Sequence, residues 1–128
     1  MYTRYSEITP FITKDGSEIR ELMHPGVHGN KQQSLAEATL AVGAATLLHQ
    51  HYLTEEIYHF TAGCGRMTLG GRVIDVAVGD TVCIAPGTPH CLENTGTQPL
   101  RLLCCCSPPY SHDDTELLVD LPDENDGG

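Results

Sequence analysis

Gly43-Ala-Ala-Thr-Leu-Leu-His49-Gln-His51-Tyr-Leu-Thr-Glu55-Glu56 runs on to Gly63, and a second stretch, Gly79-Asp80-Thr-Val-Cys-Ile-Ala85-Pro86-Gly87-Thr-Pro-His90-Cys-Leu-Glu-Asn94, follows it. The first offers two histidines two residues apart and a carboxylate a few residues on. The second offers a lone histidine after a turn signal. Imidazole nitrogens with one carboxylate oxygen are the donors a divalent transition metal prefers. On a strand, side chains alternate between faces, so His49 and His51 point the same way. On a helix they would diverge by about 200°. Glu56-Ile-Tyr-His-Phe-Thr61 is rich in strand formers. Period two puts Glu56, Tyr58 and Phe60 on one face and Ile57 and His59 on the other. Glu55 and Glu56 both remain open as the carboxylate at this point.

The rest of the chain also reads as strands. The candidates are Glu18–Leu22, Ser34–Val42, Ala45–His51, Glu56–Thr61, Gly65–Leu69, Arg72–Val76, Thr81–Ile84, His90–Asn94 and Leu100–Cys106. Gly70-Gly71 is a hairpin signal. Gly79-Asp80, Pro86-Gly87 and Asn94-Thr-Gly-Thr-Gln-Pro99 mark further turns. Short strands at this spacing imply a sandwich or barrel.

The two stretches together resemble the motifs of the cupin superfamily. Gly43, His49, His51, Glu56 and Gly63 fill G-x5-H-x-H-x(3,4)-E-x6-G. Glu55 would break the last spacing, so the motif selects Glu56. Gly79, Gly87, His90 and Asn94 fill G-x5-P-x-G-x2-H-x3-N, with the proline displaced by one to Pro86. Ile19-Arg-Glu-Leu22 and Pro108-Pro-Tyr-Ser-His-Asp-Asp-Thr-Glu116 resemble small single-domain cupins compared with mannose-6-phosphate isomerase. The resemblance implies an all-β jelly-roll barrel over residues 1–112, with the metal held inside near its mouth. It implies His49, His51, Glu56 and His90 as ligands of one divalent ion: Mn, Fe, Zn, Ni or Co. It also implies a homodimer.

Four protein ligands on an octahedral ion leave two positions for a small oxygenated ligand. The expected function is a metal-dependent isomerase or lyase on a small polyoxygenated substrate. An iron-dependent dioxygenase and a non-catalytic binding cupin are the alternatives. Tyr58 shares the inward face with Glu56 and is the candidate proton donor, with core packing as its plainer role. Tyr110 and His112 are weaker candidates for closing the mouth. His24, His28, His59 and His112 are expected on surfaces or loops.

The 128 residues suit a single core. The net charge of −10 and only seven Lys and Arg argue against nucleic acid. The same scarcity favours a neutral sugar or a small keto or hydroxy acid over a sugar phosphate. No apolar run approaches the roughly 18–20 residues that span a bilayer, and no secretory signal is visible, so the cytoplasm is the expected location. Residues 113–128 form an acidic tail, with Asp113–Leu118 expected to make a short helical turn and the end expected to be disordered. Six cysteines lack zinc-site spacing. On a strand, Cys104 and Cys106 share one face, and packing is their expected role; a thiol reaching the cavity is the alternative.

Overall fold

The computed structural model describes residues 1–118. Among the described residues, eleven strands form two antiparallel sheets. They are β1 (Phe11–Ile12), β2 (Glu18–Met23), β3 (Ser34–Leu40), β4 (His49–His51), β5 (Glu55–Ala62), β6 (Cys64–Leu69), β7 (Arg72–Ala77), β8 (Thr81–Ile84), β9 (His90–Asn94), β10 (Leu100–Ser107) and β11 (Thr115–Leu117). One sheet has the order β1-β2-β3-β10-β5-β8, and the other β11-β4-β9-β6-β7. They face each other as a jelly-roll barrel.

Alternation along the strands decides what the barrel encloses. Glu56, Tyr58 and Phe60 of β5 are buried, while Glu55, Ile57 and His59 are exposed. On β10, Leu100, Leu102 and Cys106 are buried and Arg101 is exposed. Strand β9 turns His90, Leu92 and Asn94 inward. Each of these strands passes from an apolar half to a polar half: Phe60 to Glu56, Leu102 to Cys106, Leu92 to His90. In register, Leu102 pairs with Phe60 and Cys106 with Glu56. The barrel therefore has an apolar floor, which includes Phe60, Met67 and Leu100, and a polar end.

The turns follow the sequence signals. Gly70, at φ 59°, lies in the hairpin between β6 and β7. Thr88 N–H donates to Ala85 O at 3.2 Å, and Gly87 has φ 77°. Proline followed by a positive-φ glycine suits a type II turn, so a proline at 86 serves where the motif places it at 85. Gly63 has φ 79°, and a Cβ there would lie 2.7 Å from Pro99 O. Asn94 Nδ2 donates to Leu40 O and Gln98 O, and its Oδ1 accepts from Gly96 N–H. That motif asparagine therefore ties turns together.

Several expectations need correction. Ala45–Leu48 is not strand: Ala45 makes an isolated bridge to Glu93, Thr46 N–H donates to Leu92 O, and Leu47 N–H to Asp15 O. The segment divides its bonds between two partners, so no ladder forms until His49. Strand β3 ends at Leu40 because Ala41–Ala44 is a turn closed by Ala44 N–H on Ala41 O. Asp113–Leu118 is not a helical turn. Thr115–Leu117 pairs with β4, which carries the sheet past residue 112. The expected disordered end, from Asp120, lies outside the described residues. The short helix α1 (Pro25–His28) and the strands β1 and β11 were absent from the sequence reading.

Phe60 is fully buried in the floor. Phe60→Ala is expected to cost about 3–5 kcal/mol, read as a lowered urea midpoint with an unchanged slope; a loss under about 1 kcal/mol would mean that this floor does not carry the core.

Candidate metal centre

Strands β4, β5 and β9 bring together the four residues expected as ligands. His49, His51, Glu56 and His90 are all buried, and their candidate donor atoms lie within 4.8 Å of one another. His51 Nε2 is 2.8 Å from Glu56 Oε1, and His90 Nε2 is 3.1 Å from the same oxygen. Glu55 is exposed and takes no part.

The far side of each ring defines its tautomer. His49 Nδ1 is 2.8 Å from Leu47 O, and His90 Nδ1 is 2.9 Å from Thr88 O. A carbonyl only accepts, so each Nδ1 carries the proton. His51 Nδ1 is 3.0 Å from Thr115 Oγ1. Thr115 Oγ1 donates to Ser111 O at 2.8 Å, so it accepts from His51. When neutral, all three rings therefore turn an Nε2 lone pair to the cluster. Glu56 Oε1 and His90 Nε2 are buried without a hydrogen-bond partner. With neutral rings, these Nε2 atoms and Glu56 Oε1 are all acceptors, and buried acceptors left unpaired are costly in a protein interior. A cation among the four atoms removes that cost, so the residues fit a divalent metal. Carbonyl or hydroxyl partners on the remote ring nitrogen are the usual support for histidine ligands.

Burial alone would raise Glu56, but with protons on their Nε2 atoms the His51 and His90 rings hold its carboxyl well below the usual range, so the carboxylate is ionised and a cation would replace those protons. Burial, together with the neighbouring His90, lowers the basicity of His49. The cluster therefore favours an ionised carboxylate and a neutral ring.

The cysteines correct the packing expectation in part. Cys104 Sγ donates to Glu56 Oε2 at 2.9 Å, and Cys106 Sγ lies 3.4 Å from it. Both thiols line the cavity and leave Oε1 to face the imidazoles. The Cys106 thiol alongside, burial and the Glu56 charge together push the Cys104 thiol up. All six cysteines are free.

Asp15 and Thr115 lie at the cluster without any sequence expectation naming them, and Tyr110, a candidate for closing the mouth, lies beside them. Asp15 Oδ2 lies 3.6 Å from His49 Nε2. The only sequence signal was the Asp15-Gly16 turn. Tyr110 stands edge-on to His51, with ring centroids 5.9 Å apart, and its hydroxyl is 3.0 Å from Thr13 Oγ1. Two segments thus make the mouth. Lys14 Nζ donates to Thr115 O at 2.8 Å, and Asp114 accepts from Leu53 and Thr54 N–H. Tyr58 is buried and lines the cavity, and burial pushes its phenol well up. His59 is exposed, as expected. His24 and His28 are structural: His24 Nδ1 accepts from Gly26 N–H, and His28 Nδ1 accepts from His24 N–H. His112 is exposed, with Nδ1 3.2 Å from the Tyr110 hydroxyl.

With this geometry in view, a cupin-domain family model matches residues 36–106. The chain is a cupin. The uncharacterized protein MJ1618 of Methanocaldococcus jannaschii is 56% identical over 116 residues, covering 91% of this chain and 93% of its own length. A predicted oxalate decarboxylase of Thermotoga maritima is 29% identical, with a TM-score of 0.74, and the match covers 84% of this chain and 99% of that one. The polyketide cyclase RemF of Streptomyces resistomycificus superposes with a TM-score of 0.80 at 19% identity, over 96% of this cupin and 88% of that chain. That last likeness establishes fold alone. No described helix of the cupin is long and apolar enough to cross a membrane.

Thr115→Val keeps the shape and removes the acceptor for His51 Nδ1–H. It is expected to weaken divalent-metal affinity by about 10–100-fold in chelator competition. In the same assay Glu56→Ala loses the metal and Glu55→Ala retains it; the reverse pattern would assign the wrong carboxylate.

Proposed function

We propose that this cupin is a metal-dependent enzyme, with His49, His51, Glu56 and His90 as the ligands of one divalent transition ion. The observation that carries the reading is the burial of His49, His51, Glu56 and His90 with their candidate donor atoms within 4.8 Å of one another, each ring held by a hydrogen bond on its Nδ1. When bound, the ion would supply Lewis acidity to an oxygen of the substrate. The proposed reaction is an isomerisation or lyase step on a small polyoxygenated compound. Tyr58 is the proposed proton donor. Burial keeps its phenol protonated, and its ring centroid lies 6.0 Å from that of His90. Its Oη gives a proton to a substrate oxygen as negative charge develops there. Tyr110 and Thr13 at the mouth orient the substrate and limit water.

An iron-dependent dioxygenase is the alternative reading of the same donor set, since imidazole and carboxylate ligands also hold non-haem iron. Elemental analysis of protein purified without chelator tests both readings. Oxygen uptake is followed at the same time over a panel of sugars, keto acids and diketones. Near-stoichiometric Mn, Zn, Ni or Co with substrate turnover and no oxygen uptake is expected. Iron with substrate-dependent oxygen uptake would establish the dioxygenase, and failure to load any ion would leave a binding cupin.

We also propose a homodimer. Leu35, Cys105, Ile57 and Cys83 align across four strands on the outer face of the first sheet. Leu35 is 36% exposed and Ile57 42%, and a second copy of the chain would cover them. Sedimentation should give twice the chain mass, and Ile57→Glu should halve it; a monomer at micromolar concentration would rule the dimer out.

A further inference from the structure

The cavity above the four donors holds about 830 Å³ of empty space, part of it open to solvent. Its lining contains the carboxylates Asp15, Glu21 and Glu56, and no Lys or Arg. The cations of the chain are engaged elsewhere or exposed. Lys14 Nζ donates to the carbonyls of His112 and Thr115. Arg20 donates to Ile8 O and lies over the Tyr5 ring. Arg66 pairs with Asp75. Lys31, Arg72 and Arg101 are exposed.

Asp15 has a fixed place in this arrangement. Ser17 N–H and Ser17 Oγ donate to its Oδ1 at 3.0 and 2.7 Å. The carboxylate is thereby locked, and Oδ2 is left 3.6 Å from His49 Nε2. Its side chain is only 13% exposed, so water screens it weakly. The backbone of the same residue is also held, since Asp15 O accepts from Leu47 N–H at 2.8 Å. No alternative partner for Oδ2 comes from Ser17, which is spent on Oδ1.

We infer that Asp15 sets the charge of the ligand this site accepts. It excludes dianionic oxygen ligands and accepts a hydrogen bond from a hydroxyl of a neutral one. The substrate class is then a neutral hydroxy-carbonyl compound, not a dicarboxylate or a phosphate ester. The charge balance gives the reason. Glu56 and Asp15 together cancel the two charges of a divalent ion, and Glu21 adds a further carboxylate at the wall, so nothing in the cavity compensates a further anion. A buried charge without a partner is expensive. A hydroxyl brings a donor to Oδ2 and no added charge. The apolar wall, with Ile19, Leu40 and Leu102, suits the carbon side of such a ligand. This inference rests on the metal-centre reading proposed above.

The test uses the full chain loaded with Co²⁺. Metal content is read by elemental analysis, and ligand binding by the visible cobalt spectrum and calorimetry. The probes are dihydroxyacetone, a neutral hydroxy-ketone, and oxalate, a dianion. The wild-type protein is expected to bind dihydroxyacetone and to reject oxalate at equal concentration. Asp15→Asn keeps the acceptor for Ser17 and removes the charge. It is expected to raise oxalate affinity by about ten-fold or more and to weaken dihydroxyacetone binding, at unchanged cobalt content and urea midpoint. Wild-type protein that binds oxalate more tightly than dihydroxyacetone would overturn the inference, even if the variant failed to fold. So would an affinity ratio left unmoved by Asp15→Asn. Protein that takes up no cobalt would overturn the metal-centre reading itself, and this inference with it, so the two failures are told apart by the metal content.

Discussion

Three ring nitrogens and one carboxylate oxygen, all candidate donors to a cation, meet at the polar end of the barrel. His49, His51 and His90 each place the ring proton on the remote nitrogen, on Leu47 O, Thr115 Oγ1 and Thr88 O respectively. Their Nε2 atoms then face Glu56 or each other. In neutral rings those lone pairs repel, so such a cluster holds only if the surrounding fold is rigid or a cation joins them. The fold supplies the rigidity. Glu56 is secured by two thiols on its second oxygen, and Thr115 is secured by Ser111 O. The ladder from β10 to β5 keeps the floor below in register.

Much of this was legible in the sequence, for reasons that lie in particular residues. His49-x-His51 on a strand can only present both rings to one side. Glu56 rather than Glu55 follows from the motif spacing and agrees with the alternation of β5, which buries every second residue from Glu56 to Phe60. Gly70-Gly71 and Pro86-Gly87 gave their turns because only certain residues take those conformations. These are local constraints, and local constraints survive in a linear reading.

Other parts depended on contacts between distant residues and left no local trace. Thr115 lies in an acidic stretch with helix-like composition, yet pairing with β4 makes it a strand and puts its hydroxyl on His51. Asp15 reads as an ordinary turn residue until Leu47 and Ser17 fix it beside His49. Ala45–Leu48 has the composition of a strand, but its backbone bonds are divided between β9 and the turn before β2. Alternation placed Cys104 and Cys106 on a common face but could not say that the face was polar at that depth.

The segment that matches the cupin model, residues 36–106, holds all four donors. The residues that lean over those donors, Asp15 and Tyr110 among them, come from outside it, as does the hydroxyl that orients His51. The division is one of labour along the chain: the middle builds a socket, and the two flanks furnish it. Changing side chains on the flanks alone would re-purpose the socket for another ligand while the strands that carry the donors stay as they are, which is a physical route by which one barrel can serve unrelated chemistries.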